Sequence, residues 1–382
     1  MQTRIYADHA ATTALSPMAR EAMEPFLQAS YGNPSTLYSL AREPRKAVKH
    51  SREIIAAAIH ADPDEIFFTS GGTEADNWAI KGIAFQHTTS KGIITSAIEH
   101  HAVINTCSSL RHMGYHIQTL SVDAEALVHE DALSGALTPD TVLVSVMLAN
   151  NEIGTIEPIR NLSDIAHHAG ALFHTDAVQA IGHIPVNVDA LGVDLLSASG
   201  HKFNGPKGVG FLYVRKGTPV LPLMDGGGQE NGMRAGTENV AGIVGMAASL
   251  KEHIDNLTQE SSYLQGLADT LITQLKQYRL DFRMNGSAYR IPGSLSLSFK
   301  DADGEMLLHR LDLMGTAVAT GSACNSKETE LSHVIKAIQV PEDYANGTIR
   351  ITLGMDNTKD QMYAIANQIY RIIKHKTEGI EA

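Results

Sequence analysis

The sequence predicts an α/β protein: a mostly parallel, seven-stranded sheet covered by helices on both faces, with a smaller α/β unit beside it. Three observations carry this. Between about Asp64 and Arg215, short β-rich runs alternate with amphipathic helical stretches, the pattern of a parallel sheet with crossover helices. Every chemically suggestive side chain of that region falls just after a strand, where such sheets collect ligands. Beyond Asn285-Gly286 the texture changes to more widely separated strands and helices.

In order, the strand candidates are residues 65–69, 92–96, 116–121, 142–148, 172–175, 193–198 and 210–214, with helical stretches at 73–85, 102–113 and 159–168 between them. Gly226-Gly227-Gly228 opens a loop, and Val240 to about Tyr278 then reads as one long helical segment, straight or bent. A strand at 294–299, a helix at 305–313, a strand at 348–353 and a helix at 359–374 follow. The expected division is a large domain of residues 16–255 and a smaller one of 1–15 with 256–382.

Composition narrows the class. The chain has 382 residues, 43% hydrophobic and 19% charged, as in an ordinary soluble globular protein. Its 30 basic and 42 acidic residues give a net charge of −12, which disfavours nonspecific binding to nucleic acid or an anionic membrane. No apolar run has the length of a membrane span, and Met1-Gln2-Thr3-Arg4-Ile5-Tyr6 lacks the regions of a signal peptide. The two cysteines, Cys107 and Cys324, are too few for a disulfide framework. A reducing compartment, the cytoplasm, is expected.

Lys202 lies in Ser199-Gly200-His201-Lys202, directly after the apolar run 193–197. Desolvation at a strand exit lowers the pKa of an amine, and an amine near neutrality can hold pyridoxal phosphate as a Schiff base. The plain alternative is a snorkelling lysine. Ser70-Gly71-Gly72-Thr73-Glu74 reads as a glycine turn opening a helix, whose free N–H groups can cradle a phosphate; Thr73 is equally a simple cap. His100, after the next strand, can stack on a flat ring and move protons, or be half of a surface His100-His101 pair. A metal reading is weaker, because no second ligand cluster follows. Asn150-Asn151 follows the fourth strand and offers an amide to a ring oxygen. Asp176 ends the fifth, where it can pair with a pyridine nitrogen or cap a helix. Arg350, in Thr348-Ile349-Arg350-Ile351-Thr352, suits a substrate carboxylate or an internal salt bridge. Cys324 stands among small and polar residues, Gly321-Ser322-Ala323 before it and Asn325-Ser326-Lys327 after it. It is placed like a nucleophile that must move, whereas Cys107 on a helical stretch reads as buried and inert.

Together these residues resemble the cysteine desulfurases, pyridoxal-phosphate enzymes of fold type I within the class V aminotransferase group. The resemblance runs through Ala7-Asp8-His9-Ala10-Ala11-Thr12-Thr13, Tyr31-Gly32-Asn33-Pro34-Ser35, Ser70-Gly71-Gly72-Thr73-Glu74, Asn150-Asn151-Glu152-Ile153-Gly154, Ser199-Gly200-His201-Lys202, Arg234-Ala235-Gly236-Thr237-Glu238-Asn239 and Gly321-Ser322-Ala323-Cys324. It implies Lys202 as the cofactor-bearing lysine, Cys324 as the persulfide-bearing nucleophile, His100 as the ring-stacking acid/base and Asp176 as the ring-nitrogen partner. Asn151 and Gln179 would bond the ring oxygen. Thr73, Ser199 and His201 would hold the phosphate, with Gly72 and Gly200 beside it. Thr237 would reach the phosphate in the other subunit of a homodimer, and Arg350, Asn33 and Asn151 would bind L-cysteine.

The context of Cys324 is similar to the long-loop, nitrogen-fixation and housekeeping subgroup. That implies alanine as product and a sulfur-acceptor protein as partner, an iron–sulfur scaffold or a thiolation protein. No resident metal is implied, Cys324 serving at most as a transient iron–sulfur ligand. Thr329-Glu330-Leu331-Ser332-His333-Val334 lacks the proline the family often has there, and the tail 375–382 is polar and acidic. The rival readings are a class V aminotransferase, a selenocysteine lyase and a non-catalytic scaffold of the same fold.

Overall fold

The computed structural model describes residues 4–87, 89, 91–321 and 331–374, with the backbone of 375–377. Its strands are β1 (Ile5–Tyr6), β2 (Ile66–Thr69), β3 (Gly92–Ser96), β4 (His116–Leu120), β5 (Thr141–Ser145), β6 (Leu172–Asp176), β7 (Leu195–Ser199), β8 (Gly210–Val214), β9 (Phe282–Met284), β10 (Ser294–Phe299), β11 (Thr316–Ala317) and β12 (Thr348–Thr352). Seven of them form one sheet in the order β2-β8-β7-β6-β5-β3-β4. All neighbours from β7 to β4 run parallel, and β8 alone opposes β7 and β2. The central strands β3, β5, β7 and β8 are buried throughout. This explains why their sequences are apolar runs and not alternations.

Two differences from the sequence reading have local causes. The fourth candidate strand ends at Ser145, although Val146 and Leu148 still donate to the carbonyls of His174 and Asp176 at 3.1 and 2.9 Å. The chain there hugs β6 without satisfying the ladder. The helices Pro17–Leu27 and Arg42–Ile59 were not marked in the sequence. Ser16 capping the Ala19 N–H, followed by Pro17 at the first helical position, was the available signal.

Apolar clusters cover both faces of the large sheet. One joins Phe68, Val144, Phe173 and Phe211 to Ile55, Leu162 and Met246. The other joins Phe67, Ile93, Leu143 and Leu212 to Trp78, Ile80, Val103 and Leu110. A third core lies with the sheet β12-β10-β9. The helix Val240–Gln277 is continuous over 38 residues and serves two cores. Ile243, Met246, Ala247 and Leu250 join the first cluster, whereas Leu264, Leu267, Ala268, Leu271 and Leu275 join the third. Both sets keep the three- and four-residue spacing of a single buried stripe.

The N-terminal segment connects the small sheets to the large one. β1 pairs with β11, and Asp8 bridges to Thr352 beside β12. Thr13 then donates to the His201 carbonyl at 3.0 Å and Ser16 to that of Asn204 at 2.9 Å. Residues 8–16 therefore cross the carboxyl ends of the central strands.

Candidate active site

Beneath that segment lies a cavity of about 360 Å³. It is lined by Gly72, Thr73, His100, Asn151, Asp176, Gln179, Ser199, His201, Lys202 and Arg350 among the expected residues. The strand ends bring them together: Asp176 closes β6, Ser199 closes β7, Lys202 ends the turn Gly200–Lys202, and Arg350 sits in the middle of β12. Gly200 lies in that turn without lining the cavity. Asn33 and Thr237 do not line it either: the Asn33 side chain accepts from the Ser35 N–H at 2.9 Å, and Thr237 is exposed. Cys324 lies outside the described residues, in the segment 322–330; Gly321 before it and His333 after it both line the cavity.

One end of the cavity suits a phosphate. Helix Gly72–Gln86 begins there, so its first N–H groups have no intrahelical acceptor. Gly71 takes φ +149°, and a methyl on Gly72 would meet Val178 at 2.6 Å, so both glycines are sterically required. The Ser199 hydroxyl stands over this turn. The His201 Nδ1 lies 3.1 Å from the Thr12 hydroxyl; burial and then Lys202 hold its pKa down to about 4.

The other end is acidic. Asp176, 4% exposed, accepts from the Val178 N–H at 2.9 Å. Burial raises its pKa, while that bond and Lys202 oppose the rise. The Lys202 Nζ donates to the carbonyls of Ala10 and Ala11 at 2.6 and 2.9 Å, and the Gln179 amide donates to Ala10 at 3.0 Å. The crossing segment thus orients both side chains.

His100 caps the helix His101–His112, its Nδ1 accepting the Ala102 N–H at 3.1 Å. That bond assigns the ring proton to Nε2. Burial, reinforced by Lys202 and His101, lowers its pKa to about 4. The imidazole is therefore neutral at neutral pH, with its acceptor nitrogen taken by the cap and an Nε2–H left as a donor.

Arg350 donates through Nη2 to Asp8 at 2.7 Å and through Nη1 to the Asn151 carbonyl at 2.9 Å. Its Nε is buried and has no hydrogen-bond partner among the described residues. Arg350 lines the cavity, and its guanidinium, fixed in plane by those two bonds, suits an anionic ligand group. The two neighbouring asparagines also separate. Asn150 is structural, bonding the Ile98 carbonyl and the N–H groups of Glu152 and Ile153, whereas Asn151 lines the cavity.

The sequence reading passed over Asp8, Asp76, His101, Glu152 and His333, all of which line the cavity. For Asp76 a signal existed, since helical spacing aligns it with the buried Ala79, Ile80 and Ile83. One ligand atom each from Asp76, His100 and Asp176 lies within 4.8 Å of the others. Burial raises both carboxyls, with Asp176 at about 6 and Asp76 opposed further by the Asp176 charge, so the pair does not readily present the two carboxylates a metal site would use.

A phosphate cradle, an amine and a buried carboxyl in one cavity fit pyridoxal phosphate in the chemistry of their donors. Comparison with known proteins agrees. The family model "Aminotransferase class-V" matches residues 5–365. The chain is 52% identical to "Cysteine desulfurase IscS" of Dictyoglomus turgidum over 98% of this chain and 95% of that protein. It is 43% identical to the protein of the same name from Methanosarcina thermophila, over 97% and 92%. A solved "NIFS-LIKE PROTEIN" superposes with a TM-score of 0.92 at 36% identity, covering 97% of this chain and 100% of the other. The structure described as "SspA in complex with cysteine" gives 0.82 at 35% identity, covering 92% and 99%. The chain belongs to the class V aminotransferase family and, within it, to the pyridoxal-phosphate-dependent cysteine desulfurases.

Proposed function

We propose that this chain removes sulfur from L-cysteine, releasing L-alanine, with Lys202, His100, Asp176, Arg350 and Cys324 dividing the work. The observation that carries this assignment is the convergence of the first four on one cavity from separate elements of the fold. Pyridoxal phosphate, when bound, supplies an electron sink for the pair released at the substrate Cα. Thr73, Ser199 and His201, with the helix start at Gly72, hold its phosphate. Asp176 would pair with its ring nitrogen, Asn151 and Gln179 would bond its ring oxygen, and Lys202 would hold it through its aldehyde. Arg350 takes the cysteine carboxylate with its guanidinium, held in place by Asp8 and Asn151, and Asn33 assists it. His100, neutral and with its proton on Nε2, would act as the acid/base over the ring by giving that proton and taking it back.

The Cys324 thiolate attacks the substrate sulfur. One S–S bond forms, the substrate C–S bond breaks, and the carbon takes a proton to give alanine. Cys324 keeps the sulfur as a persulfide for an acceptor protein, a scaffold for iron–sulfur clusters or a thiolation protein. The chain works as a cytoplasmic homodimer in which Thr237 reaches the neighbouring cofactor's phosphate. In support, Thr237 is exposed and off its own cavity, and Ser35 lies 3.4 Å from Glu238. That puts Thr237 beside a segment carrying the exposed Tyr31, Leu37, Tyr38 and Leu40. Among the described residues no helix is long and apolar enough to cross a membrane.

The test is product identity with cofactor mapping. In the presence of a thiol reductant, which releases the persulfide sulfur as sulfide, L-cysteine gives alanine and sulfide in equal amounts with no pyruvate, and borohydride fixes the pyridoxyl group on Lys202. Pyruvate formation from alanine, or a label on Lys207, overturns the assignment.

A further inference from the structure

Asp76 has no part in the assignment above, yet it lines the same cavity and is 1% exposed. Its Oδ1 has no hydrogen-bond partner among the described residues. One of its carboxyl oxygens lies within 4.8 Å of one from Asp176 and of a His100 ring nitrogen. The groups facing it are Asp176, His174, Ser197, Glu99 and His100. None of them supplies a cation. His174 is held between the hydroxyls of Ser145 (2.8 Å) and Ser197 (2.9 Å), and burial lowers its pKa to about 3. Its Nε2 is 3.7 Å from the Asp76 Oδ1, beyond a hydrogen bond. Glu99 and His100 are kept neutral by burial, with pKa values near 8 and 4.

Two buried carboxyls at this separation do not both ionise. Asp176 is the better anion, because it accepts the Val178 N–H and faces Lys202. Asp76 has only Ser197 favouring its charged form, against burial and Asp176.

We propose that Asp76 and Asp176 hold one proton between them, with Asp76 carrying it. Asp76 is thereby a positioning residue that keeps the pair at a single negative charge under the cofactor's ring nitrogen. This rests on the cofactor assignment given above. One anion matches one ring cation. A second anion, appearing only as Asp76 ionises at high pH, makes the Lys202 nitrogen harder to deprotonate once it bears the cofactor.

The test compares the holoenzyme with Asp76→Asn by two readouts, cofactor absorbance against pH and the infrared carbonyl band of protonated carboxyls. The parent shows a two-step absorbance curve, as coupled groups do, and a carboxyl band at neutral pH. Asp76→Asn, which mimics the neutral acid, keeps the cofactor, removes one component of that band while those of Glu99 and Glu157 remain, and titrates in one step. Identical curves and bands in parent and variant overturn the proposal. So does cofactor loss in Asp76→Asn as complete as in Asp176→Asn, because Asp76 would then be the working anion. Should Asp76→Asn fail to fold, Ser197→Ala removes the group that favours the Asp76 anion and moves the upper step to higher pH; an unmoved step counts against the proposal. A parent without cofactor absorbance sinks the cofactor assignment itself, and the infrared band still reports on Asp76.

Discussion

Arg350 and Asp8, 342 residues apart, are joined by a 2.7 Å ion pair in the wall of the cavity. Asp8 and the Asn151 carbonyl each take one N–H of the guanidinium fork, which fixes its plane and leaves the second hydrogen of each terminal nitrogen for a ligand. Arg350→Lys keeps the charge but loses that fork. Hydrogen bonds to charged groups contribute about 1.5–3 kcal/mol, so KM for L-cysteine should rise roughly ten- to a hundredfold. The absorbance of the resting cofactor should stay unchanged. Steady-state kinetics with a parallel spectrum checks this; an unchanged KM removes Arg350 from substrate binding.

Asp176→Asn separates function from stability. The amide still accepts the Val178 N–H but cannot hold a ring nitrogen protonated. A close opposite charge shifts a pKa by about one to three units, so kcat should fall roughly ten- to a thousandfold. The native Asp176 pKa is raised, chiefly by burial. Such a group stabilises the fold below its unfolded pKa, and that contribution is lost as pH rises through the folded value. The cofactor-free variant should therefore melt no lower than the parent at neutral pH, and higher if the loss is large. Turnover at the parental rate would make Asp176 structural.

The large sheet was legible because its buried strands are apolar runs punctuated by glycine turns, and β3 and β8 match the sequence reading residue for residue. Lys202, His100 and Asp176 were legible by residue type after strands, and Arg350 as a charge inside an apolar one. Their tuning was not. Asp8 meets Arg350 only because β1 adds to the small sheet and Asp8 bridges beside β12, a contact with no local trace. His100 reads as a histidine after a strand, but its role as a helix cap depends on where the helix begins. Asp76 carries the opposite lesson. Its place on an apolar stripe is visible, yet an acid on a helix is ordinarily solvated, and only burial shows otherwise.

Glu99 should dominate part of the pH dependence of stability. Its Oε1 accepts from the Ser96 hydroxyl at 2.6 Å and the Met147 N–H at 2.9 Å, while Oε2 is buried without a hydrogen-bond partner among the described residues. Burial raises its pKa from 4.5 to about 8, against the pull of those two bonds. A raised carboxyl stabilises below its unfolded pKa and loses that contribution as pH climbs through the folded one. Stability should therefore fall from pH 4.5 toward 8, with Glu157 adding the same slope. Glu99→Gln should flatten the decline in urea midpoint over that range. An unaltered slope would show that Glu99 does not take up a proton on folding.

The two cysteines give the sharpest contrast. Cys107 is 2% exposed on the helix His101–His112, and burial pushes its thiol up to about 12. A thiol so rarely ionised is a poor nucleophile. Cys324 belongs to the segment 322–330, flanked by the cavity-lining Gly321 and His333, so its chain neighbours begin and end at the reacting centre. Cys324→Ser changes size little but replaces a thiolate with a hydroxyl, which attacks sulfur far more weakly. With a thiol reductant present, the variant should bind cofactor and L-cysteine with parental spectra, yet release sulfide at least about a hundredfold more slowly than the parent, the scale on which nucleophile loss is felt. Mass spectrometry of the parent after brief exposure to L-cysteine should find one added sulfur on Cys324 and none on Cys107. Parental sulfide release by Cys324→Ser, or added sulfur on Cys107 instead, would mean that the sulfur leaves by another route.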